Sequence, residues 1–369
     1  MNVKELYESM GLPPLLDGTI RTAEDWERTR RPALLRLLEE QEYGIRPLER
    51  PQGVQYTVTG EETGPKGIRR RDIAVLIPNP HGGDALRIRA YLYLPQENAG
   101  PRAAFMMLNM RWNPAFDAKP PFPGMENYFA YQAVTARGYA LVSVNVDDAA
   151  ADADDGFHNG VFSLFDGERN ATSWGVLSAW GWAASRVLDY LETDPEVDAA
   201  RVAVLGHSRL GKAALWAGAR DSRFAMVIAN SSGCGGAGIS RDTRAETIEA
   251  ITRNFPHWFC GNYRQWGNRE HEAPFDQHTV LAMVAPRLLY VQSSAEDPFC
   301  YTPNEYRGAA ATAPVYRLYG YAGLGDAVAQ PLIDRPVHGD RVGYHVREGG
   351  HNLKLADWNW FMDFADTRL

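Results

Sequence analysis

The stretch Val202-Ala-Val-Leu-Gly-His-Ser-Arg-Leu-Gly-Lys212 decides how this chain folds. Its first four residues are apolar and predict a buried strand, and Ala213-Ala-Leu-Trp-Ala217 predicts the helix that follows. A serine on a sharp strand-to-helix turn, here Ser208, is typical of a catalytic nucleophile that needs small neighbours. Gly206 is one such neighbour, but the second glycine, Gly211, stands one position later than in the usual G-x-S-x-G pattern. The alternative interpretation is that Ser208 only caps a helix.

The hydrophobic pattern changes along the chain and predicts the order of the strands. Three early stretches alternate between polar and apolar residues and predict half-exposed antiparallel strands: 54–59, 71–77 and 86–94. Later stretches are nearly all apolar and predict strands buried on both faces: 103–109, 139–145, 202–205, 224–229, 288–292 and 315–318. Helical segments at 174–193 and 210–220 separate several of them, which indicates parallel βαβ units. The predicted fold class is therefore α/β, an α/β-hydrolase three-layer sandwich with a mostly parallel sheet and an antiparallel N-terminal part.

The first part of the chain predicts a helical extension of the same domain. Residues 23–43 carry apolar side chains at helical spacing, with Thr22 as a candidate N-cap and Gly44 as a stop. We see no internal repeat or linker, so we expect residues 1–369 to form a single domain, with the extension covering about residues 1–50.

Composition limits the classes of partner. The 46 acidic residues outnumber the 38 basic ones and give a net charge of −8, which argues against nucleic acid as a partner. Three cysteines without a C-x-x-C pair predict buried free thiols, no disulfide framework and no metal. The sequence has no stretch of eighteen consecutive apolar residues, so no membrane span is predicted. The N-terminal residues lack a signal-peptide pattern and predict a cytoplasmic protein, although a removed signal peptide would instead mean a secreted or periplasmic one.

A serine esterase needs a base and an acid, which in this fold follow the nucleophile in the order acid, then histidine. His351 follows the predicted strand 342–346, and Gly349-Gly350 would let its loop turn back toward the sheet. The loop after strand 288–292 offers two acids, Glu296 and Asp297. We favour Asp297, because Pro298 fixes the turn behind it, but Glu296 remains open. The alternative for this loop is a solvated acidic turn.

Several motifs together resemble the glucuronoyl esterases of carbohydrate esterase family 15. They run from Trp26 to the end of the chain: W-x-x-x-R-R-P-A-L-L at 26–35, G-H-S-R-L-G-K-A-A-L at 206–215, N-S-S-G-C-G-G-A at 230–237, F-P-H-W-F at 255–259, P-F-D-Q-H at 274–278, A-P-R at 285–287 and E-G-G-H at 348–351. The resemblance implies hydrolysis of esters of (4-O-methyl)glucuronic acid, which link lignin alcohols to glucuronoxylan, without a metal or other cofactor.

The resemblance also implies roles for individual residues. Ser208 matches the family's nucleophile and His351 its base, while Arg209 matches an arginine that helps to hold the oxyanion. Lys212 matches a lysine that binds sugar hydroxyls, the alternative being a solvated helix residue. A second oxyanion donor is expected from the loop at 109–111, since this fold usually places one after the corresponding strand.

The chain departs from the family pattern at two positions. Many members place the catalytic acid 23 residues after the serine, where this chain has Ser231, so the acid role falls to Asp297. Near the sugar the family commonly has a tryptophan where this chain has Phe299, which lacks the indole N–H donor. We expect Phe299 and Trp258 to be among the residues that bind substrate.

Other functions remain open at this point. A deacetylase of acetylated sugars, such as an acetyl xylan esterase, needs the same triad, although Arg209 and Lys212 favour a uronic acid ester over a plain acetyl group. A peptidase is less favoured. A non-catalytic carbohydrate-binding relative with a decayed triad is favoured by Ser231 and opposed by the carboxylate of Asp297.

Overall fold

One mixed sheet forms the centre of the molecule. The computed structural model describes residues 2–47, 50–97, 100–110, 115–116, 127–165, 167–325 and 331–369. The strands of this described part are β1 (Gln55–Thr63), β2 (Arg69–Ile77), β3 (Leu86–Leu94), β4 (Arg102–Asn109), β5 (Ala140–Asn145), β6 (Val197–His207), β7 (Met226–Asn230), β8 (Leu288–Ser294), β9 (Val337–His338) and β10 (Val342–Arg347). They lie in the order β1-β2-β3-β5-β4-β6-β7-β8-β10-β9.

The direction of the strands agrees with the hydrophobic pattern. β1, β2 and β3 pair antiparallel with one another, and β3 also pairs antiparallel with β5. From β5 through β4, β6, β7 and β8 to β10 every neighbouring pair is parallel. The prediction of an α/β-hydrolase sheet with an antiparallel N-terminal part is confirmed.

The α-helices of the described residues separate these strands. They are α1 (Val3–Met10), α2 (Ala23–Asp25), α3 (Arg31–Leu38), α4 (Tyr131–Ala136), α5 (Val176–Leu191), α6 (Arg209–Arg220), α7 (Ile248–Asn254), α8 (Gln277–Ala282), α9 (Thr302–Ala310), α10 (Ala313–Leu318) and α11 (Leu355–Ala365). The predicted helices at 174–193 and 210–220 correspond to α5 and α6. The predicted strand at 315–318 is wrong, because these residues lie in α10, where Pro314 stands in the first turn with a backbone angle already suited to a helix.

The predicted helix over 23–43 exists, but it is not a regular α-helix. Thr22 caps it by accepting a hydrogen bond from the backbone of Asp25, and Gly44 ends it with a φ of 86°. Two π-helical turns, Trp26–Arg30 and Glu39–Tyr43, flank α3.

The core occupies both faces of the sheet. α5 is buried along all its residues and packs with α6 on one face, while α4 and α11 cover the other. The N-terminal helical segment joins the first of these layers, since Trp26 is fully buried and Tyr43 stacks on Trp216 with ring centroids 4.3 Å apart. Because its apolar side chains belong to the same core, we propose that residues 1–369 form a single domain.

Two further predictions concern single features. Cys234, Cys260 and Cys300 are all buried free thiols, as predicted. Among the described residues, no helix has both the length and the apolar character that crossing a membrane would require.

Candidate active site

The turn that carries Ser208 is strained and tightly packed. Ser208 lies between the end of β6 and the start of α6 with φ 58° and ψ −127°, a conformation that non-glycine residues seldom adopt. Its backbone N–H donates to the carbonyl oxygen of Asn230, 2.8 Å away, on the neighbouring strand β7. Such strain persists only where the surrounding structure enforces it, and it is common at active sites.

Gly206 and Gly211 are each required by a different close contact of the backbone. A Cβ atom on Gly206 would lie 1.9 Å from the carbonyl oxygen of Leu210, so only glycine allows the helix to pass this close to the strand. A Cβ atom on Gly211 would lie 2.9 Å from the Cβ of Ser232, in the loop after β7. The second glycine therefore serves a contact between α6 and that loop, which explains its displaced position.

His351 and Asp297 form a hydrogen-bonded pair. β8 and β10 are parallel neighbours, so the loops that follow them leave the same edge of the sheet and bring Asp297 against His351. The Nδ1 of His351 lies 2.6 Å from the Oδ2 of Asp297. An ionised carboxylate only accepts hydrogen bonds, so Nδ1 carries the proton and Nε2 is left able to accept one. The neighbouring side chain of Glu296 is exposed.

The backbone of its own loop holds the carboxylate of Asp297. Oδ1 accepts hydrogen bonds from the N–H groups of Phe299, at 2.9 Å, and Cys300, at 3.2 Å. Burial by itself would raise the pKa of Asp297, but the hydrogen bond from His351 and those from the loop outweigh it and hold the pKa below its usual value. Asp297 therefore stays ionised at neutral pH.

A buried arginine braces the loop that carries His351. Arg347, 2% exposed, donates to the carbonyl oxygens of Glu348, Gly350 and Asn352, on both sides of the histidine. Its Nε donates to Asp357 at 2.9 Å. The position of His351 is thus fixed by carbonyl contacts that the sequence pattern did not predict.

Arg209 lies against the wall of the cleft rather than free in solvent. Its guanidinium donates to the carboxylate of Asp152 and lies over the rings of Trp258, at 4.7 Å, and Phe255, at 5.3 Å. The indole N–H of Trp258 also donates to Asp152, at 2.8 Å. Sequence reasoning missed Asp152, because the run 147–155 contains five aspartates and nothing in it distinguishes one from another.

Lys212 is buried, so the interpretation of it as a solvated helix residue is wrong. Only 4% of the residue is exposed, and its Nζ donates to the carbonyl oxygens of Ser232, at 2.6 Å, and Cys234, at 2.5 Å. The carboxylate of Glu246 lies 3.8 Å from the same Nζ. Lys212 thus fixes the loop after β7, and its contact with sugar hydroxyls remains a prediction.

An uncharged network fills the position where the family usually has its acid. Ser231 is fully buried, and its hydroxyl donates to Oε1 of Gln292 at 3.1 Å, an oxygen that also accepts from Asn230 at 2.6 Å. Asn230 in turn contacts the ring of His207. Burial, followed by the nearby His351, lowers the pKa of His207 to about 3, so this histidine is neutral.

The predicted site residues meet at one cleft of about 490 Å³, at the carboxyl edge of the sheet. Ser208, His351, Arg209, Lys212, Trp258 and Phe299 line it, as do Asn109 and Met110. Asp297 lies behind His351. Phe299 is 56% exposed and packs edge-on against the His351 ring at 5.2 Å. The loop at 109–111 was expected to supply a second oxyanion donor, and its last residue, Arg111, lies outside the described residues.

One group in the described part of the chain has the composition of a metal site. Ligand atoms of Asp297, Cys300 and His351 lie within 4.8 Å of one another. Burial raises the pKa of the Cys300 thiol well above its usual range, so the sulfur is protonated at neutral pH. Nδ1 of His351 and Oδ2 of Asp297 already bond to each other, as the base and acid of a triad would.

The fold, and the serine turn with a hydrogen-bonded histidine and acid beside it, define an α/β-hydrolase. The family model for fungal glucuronyl esterases matches residues 98–320. The chain therefore belongs to the glucuronoyl esterases of carbohydrate esterase family 15, which are carboxylic ester hydrolases.

Individual relatives support this assignment over nearly the whole chain. A solved glucuronoyl esterase from Solibacter usitatus is 36% identical, with a TM-score of 0.88 and 97% of each chain covered. A solved promiscuous CE15 esterase from the marine bacterial metagenome is 31% identical, with a TM-score of 0.86 and the same coverage. Carbohydrate esterase MZ0003, from an unknown prokaryotic organism, is 32% identical over 96% of this chain and 88% of its own length.

The fungal relatives match a smaller part of the chain. A 4-O-methyl-glucuronoyl methylesterase of Podospora anserina is 29% identical over 62% of this chain and 49% of its own length.

Proposed function

We propose that this protein hydrolyses esters of (4-O-methyl)glucuronic acid in glucuronoxylan-type carbohydrates, with Ser208, His351 and Asp297 as its catalytic triad. The observation that carries the proposal is the 2.6 Å contact between His351 and the buried carboxylate of Asp297, at the cleft that Ser208 lines. An acid held in this way fixes the tautomer and orientation that a general base needs.

The proposed reaction proceeds through an acyl-enzyme. Nε2 of His351 takes the proton of the Ser208 hydroxyl while Asp297 accepts from Nδ1, and the serine oxygen attacks the ester carbonyl carbon. The imidazolium of His351 then gives its proton to the departing alcohol as the carbon–oxygen bond breaks. His351 then takes a proton from a water molecule, whose oxygen attacks the acyl carbon, and the imidazolium returns that proton to the Ser208 oxygen as the acyl bond to serine breaks and the uronic acid is released.

The negative charge on the attacked carbonyl oxygen needs donors that are already in place. Arg209 follows Ser208 in the chain and lines the same cleft, and its guanidinium is proposed to donate to this oxygen. The backbone N–H of Arg209 is a second candidate, since the first N–H groups of a helix have no acceptor within it. One donor of this kind is worth about 2.7–4 kcal/mol of transition-state stabilisation.

The remaining cleft residues suit a sugar. Phe299, 56% exposed, offers apolar surface to a sugar ring, and Lys212 and Glu246 offer a donor and acceptors along the same cleft. Trp258 is only 3% exposed and stacks on Phe255 with ring centroids 3.9 Å apart, so its predicted contact with substrate is limited to its edge. The names of the fungal relatives, 4-O-methyl-glucuronoyl methylesterases, point to the same substrate class.

A second candidate is a broader esterase that also accepts acetylated sugars. It is favoured by the engagement of Lys212, whose Nζ already donates to two loop carbonyls and is less available to a uronate. One similar solved protein is described as a promiscuous esterase. Ser231 still leaves a non-catalytic sugar-binding relative as a third outcome, although Asp297 supplies the missing carboxylate.

Wild-type kcat/KM on benzyl glucuronate and on 4-nitrophenyl acetate separates these functions. We expect the glucuronate ester to be the better substrate by at least about tenfold, since only it can contact the sugar-binding residues. A preference for the acetate would move the substrate to acetylated sugars. A folded protein that hydrolyses neither ester would be a binding relative.

We expect an oligosaccharide ester as the substrate, and the net charge of −8 argues against nucleic acid as a partner. A cytoplasmic location is still a prediction, and fractionation of cells that express the natural gene tests it.

A further inference from the structure

One buried carboxylate joins the nucleophile helix to the opposite wall of the cleft. Asp152 lies in the loop after β5, lines the cleft, and has only 5% of its side chain exposed. Its Oδ2 accepts from Arg209, the first residue of α6. Its Oδ1 accepts from the indole N–H of Trp258 at 2.8 Å and lies 3.1 Å from Nε2 of His257, both in the loop after α7.

The protonation of these groups follows from their contacts. Burial alone would raise the pKa of Asp152, but hydrogen bonds from His257, Trp258 and Arg209 outweigh it and hold the pKa far below its usual value. Nδ1 of His257 is buried and has no hydrogen-bond partner in the described part of the chain. Nε2 of His257 faces the carboxylate and donates to it, as the indole N–H of Trp258 does. The guanidinium of Arg209 is the cation paired with Asp152.

The arrangement restricts Arg209 on two sides and leaves a third side open. One guanidinium nitrogen donates to Asp152, and the guanidinium carbon lies over the Trp258 ring, 4.7 Å from its centroid. With 33% of its side chain exposed, Arg209 still presents donors to the cleft. A long arginine side chain without these contacts would sample many rotamers, and donors aimed in advance at a developing charge are what makes such groups effective.

We propose that Asp152 is a positioning residue, which holds the guanidinium of Arg209 where it meets the oxyanion. The inference rests on the proposed function only in that Arg209 acts on the oxyanion, which an acetate and a glucuronate ester both generate. A merely structural role, in which Asp152 only ties two loops together, would affect folding and would not depend on Arg209.

The test is a double-mutant cycle with Asp152→Asn and Arg209→Met. Asparagine keeps the shape, and its amide oxygen can still accept from Trp258 and His257, but its NH₂ group faces the N–H donors of Arg209. We expect Asp152→Asn to lower kcat by about 10- to 100-fold on both 4-nitrophenyl acetate and benzyl glucuronate, with KM changed by less than about threefold. In the Arg209→Met background the same change should lower kcat by less than about threefold.

Asp148→Asn is the matched control. Asp148 lies four residues earlier, pairs with Arg89 through contacts of 2.7 and 2.9 Å, and does not line the cleft. We expect its kcat to equal that of the wild type. An equal loss in both aspartate variants would overturn the proposal, because it would reflect general damage to the loop.

The outcomes separate this inference from the proposed function. If only the acetate were hydrolysed, the proposed uronate substrate would be wrong, but the double-mutant cycle could still be measured on the acetate. A loss in Asp152→Asn that persists in full without the Arg209 guanidinium, or no loss at all, would overturn the positioning role. If the wild type hydrolyses neither ester, a crystal structure of Asp152→Asn decides: Arg209 displaced from the Trp258 ring supports the inference, and Arg209 unmoved refutes it.

Discussion

Replacing Asp297 by asparagine should reverse the tautomer of His351. The asparagine amide offers one acceptor and one donor where the carboxylate offered two acceptors. If the amide oxygen keeps the N–H groups of Phe299 and Cys300, its NH₂ group faces Nδ1 of His351 and donates to it. The proton of the ring then sits on Nε2, which can no longer accept one from Ser208.

The structure indicates which orientation of the asparagine amide at position 297 is favoured. Turning the oxygen toward His351 would leave two backbone N–H groups facing an NH₂ donor, at about 1 kcal/mol or more each. The productive orientation is therefore disfavoured by at least about 2 kcal/mol, or roughly 30-fold in population. The charge that stabilises the imidazolium is lost as well, and a triad whose acid becomes an amide loses about 10,000-fold in kcat. We expect a loss of about 1,000- to 10,000-fold.

Initial rates on benzyl glucuronate, with folding checked by circular dichroism, measure the effect. Glu296→Gln is the matched control, since it removes the adjacent, exposed carboxylate by the same chemistry and should leave kcat unchanged. If Asp297→Asn kept more than about a tenth of wild-type kcat, or if Glu296→Gln lost as much, the assignment of the acid would be wrong.

Four further substitutions test the packing and the charges around the site. Gly206→Ala should give no soluble protein, because its Cβ would lie 1.9 Å from a backbone oxygen, whereas Gly211→Ala should fold with a lowered Tm; soluble yield and thermal unfolding compare them. Arg347→Met should lower stability by about 3 kcal/mol and also lower kcat, since it leaves Asp357 short of a partner and the His351 loop without its brace; urea unfolding and kcat measured at equal folded fraction check both effects. Burial raises the pKa of Glu42 to about 8, so the folded state holds this proton more tightly than the unfolded state does. The free energy of unfolding of the wild type should therefore decline between about pH 5 and 8, by up to roughly 5 kcal/mol. Glu42→Gln has no proton to lose there and should show a flatter profile. Urea unfolding at several pH values measures that slope, and parallel profiles for wild type and Glu42→Gln would contradict the last prediction.

The fold was predictable where the hydrophobic pattern was long or distinctive. The half-exposed alternation over 86–94 and the apolar run 103–109 each became a strand close to its predicted bounds. The prediction of a strand at 315–318 was wrong, because a four-residue stretch with three apolar side chains fits a strand and a buried helix equally well. There Pro314, in the first turn of α10, was the stronger signal.

The proposed nucleophile, base and acid could be located from the sequence because their places depend on local sequence and chain order. Ser208 follows a recognisable strand, and His351 and Asp297 follow strands that the sheet makes neighbours. Asp152 could not be predicted in the same way. It contacts Arg209 from 57 residues away, and only the folded sheet brings these two loops together.

The hydrogen-bond network around Ser231 could not be predicted from the sequence either. That a serine cannot replace an acid follows from its chemistry, but the amide of Gln292 that satisfies it is contributed by another strand. Long-range partners of buried polar groups are set by packing, for which one sequence without its fold carries little signal.

The rates of benzyl glucuronate hydrolysis by the wild type and by Ser208→Ala test whether the protein is a glucuronoyl esterase with Ser208 as its nucleophile. Removing one oxygen atom from a residue of the strained turn changes little else, so both proteins should have the same circular dichroism spectrum. We expect measurable turnover by the wild type and a loss of at least about 10,000-fold in the variant. Turnover that survives in a folded Ser208→Ala protein would contradict it, since the nucleophile would then be another group.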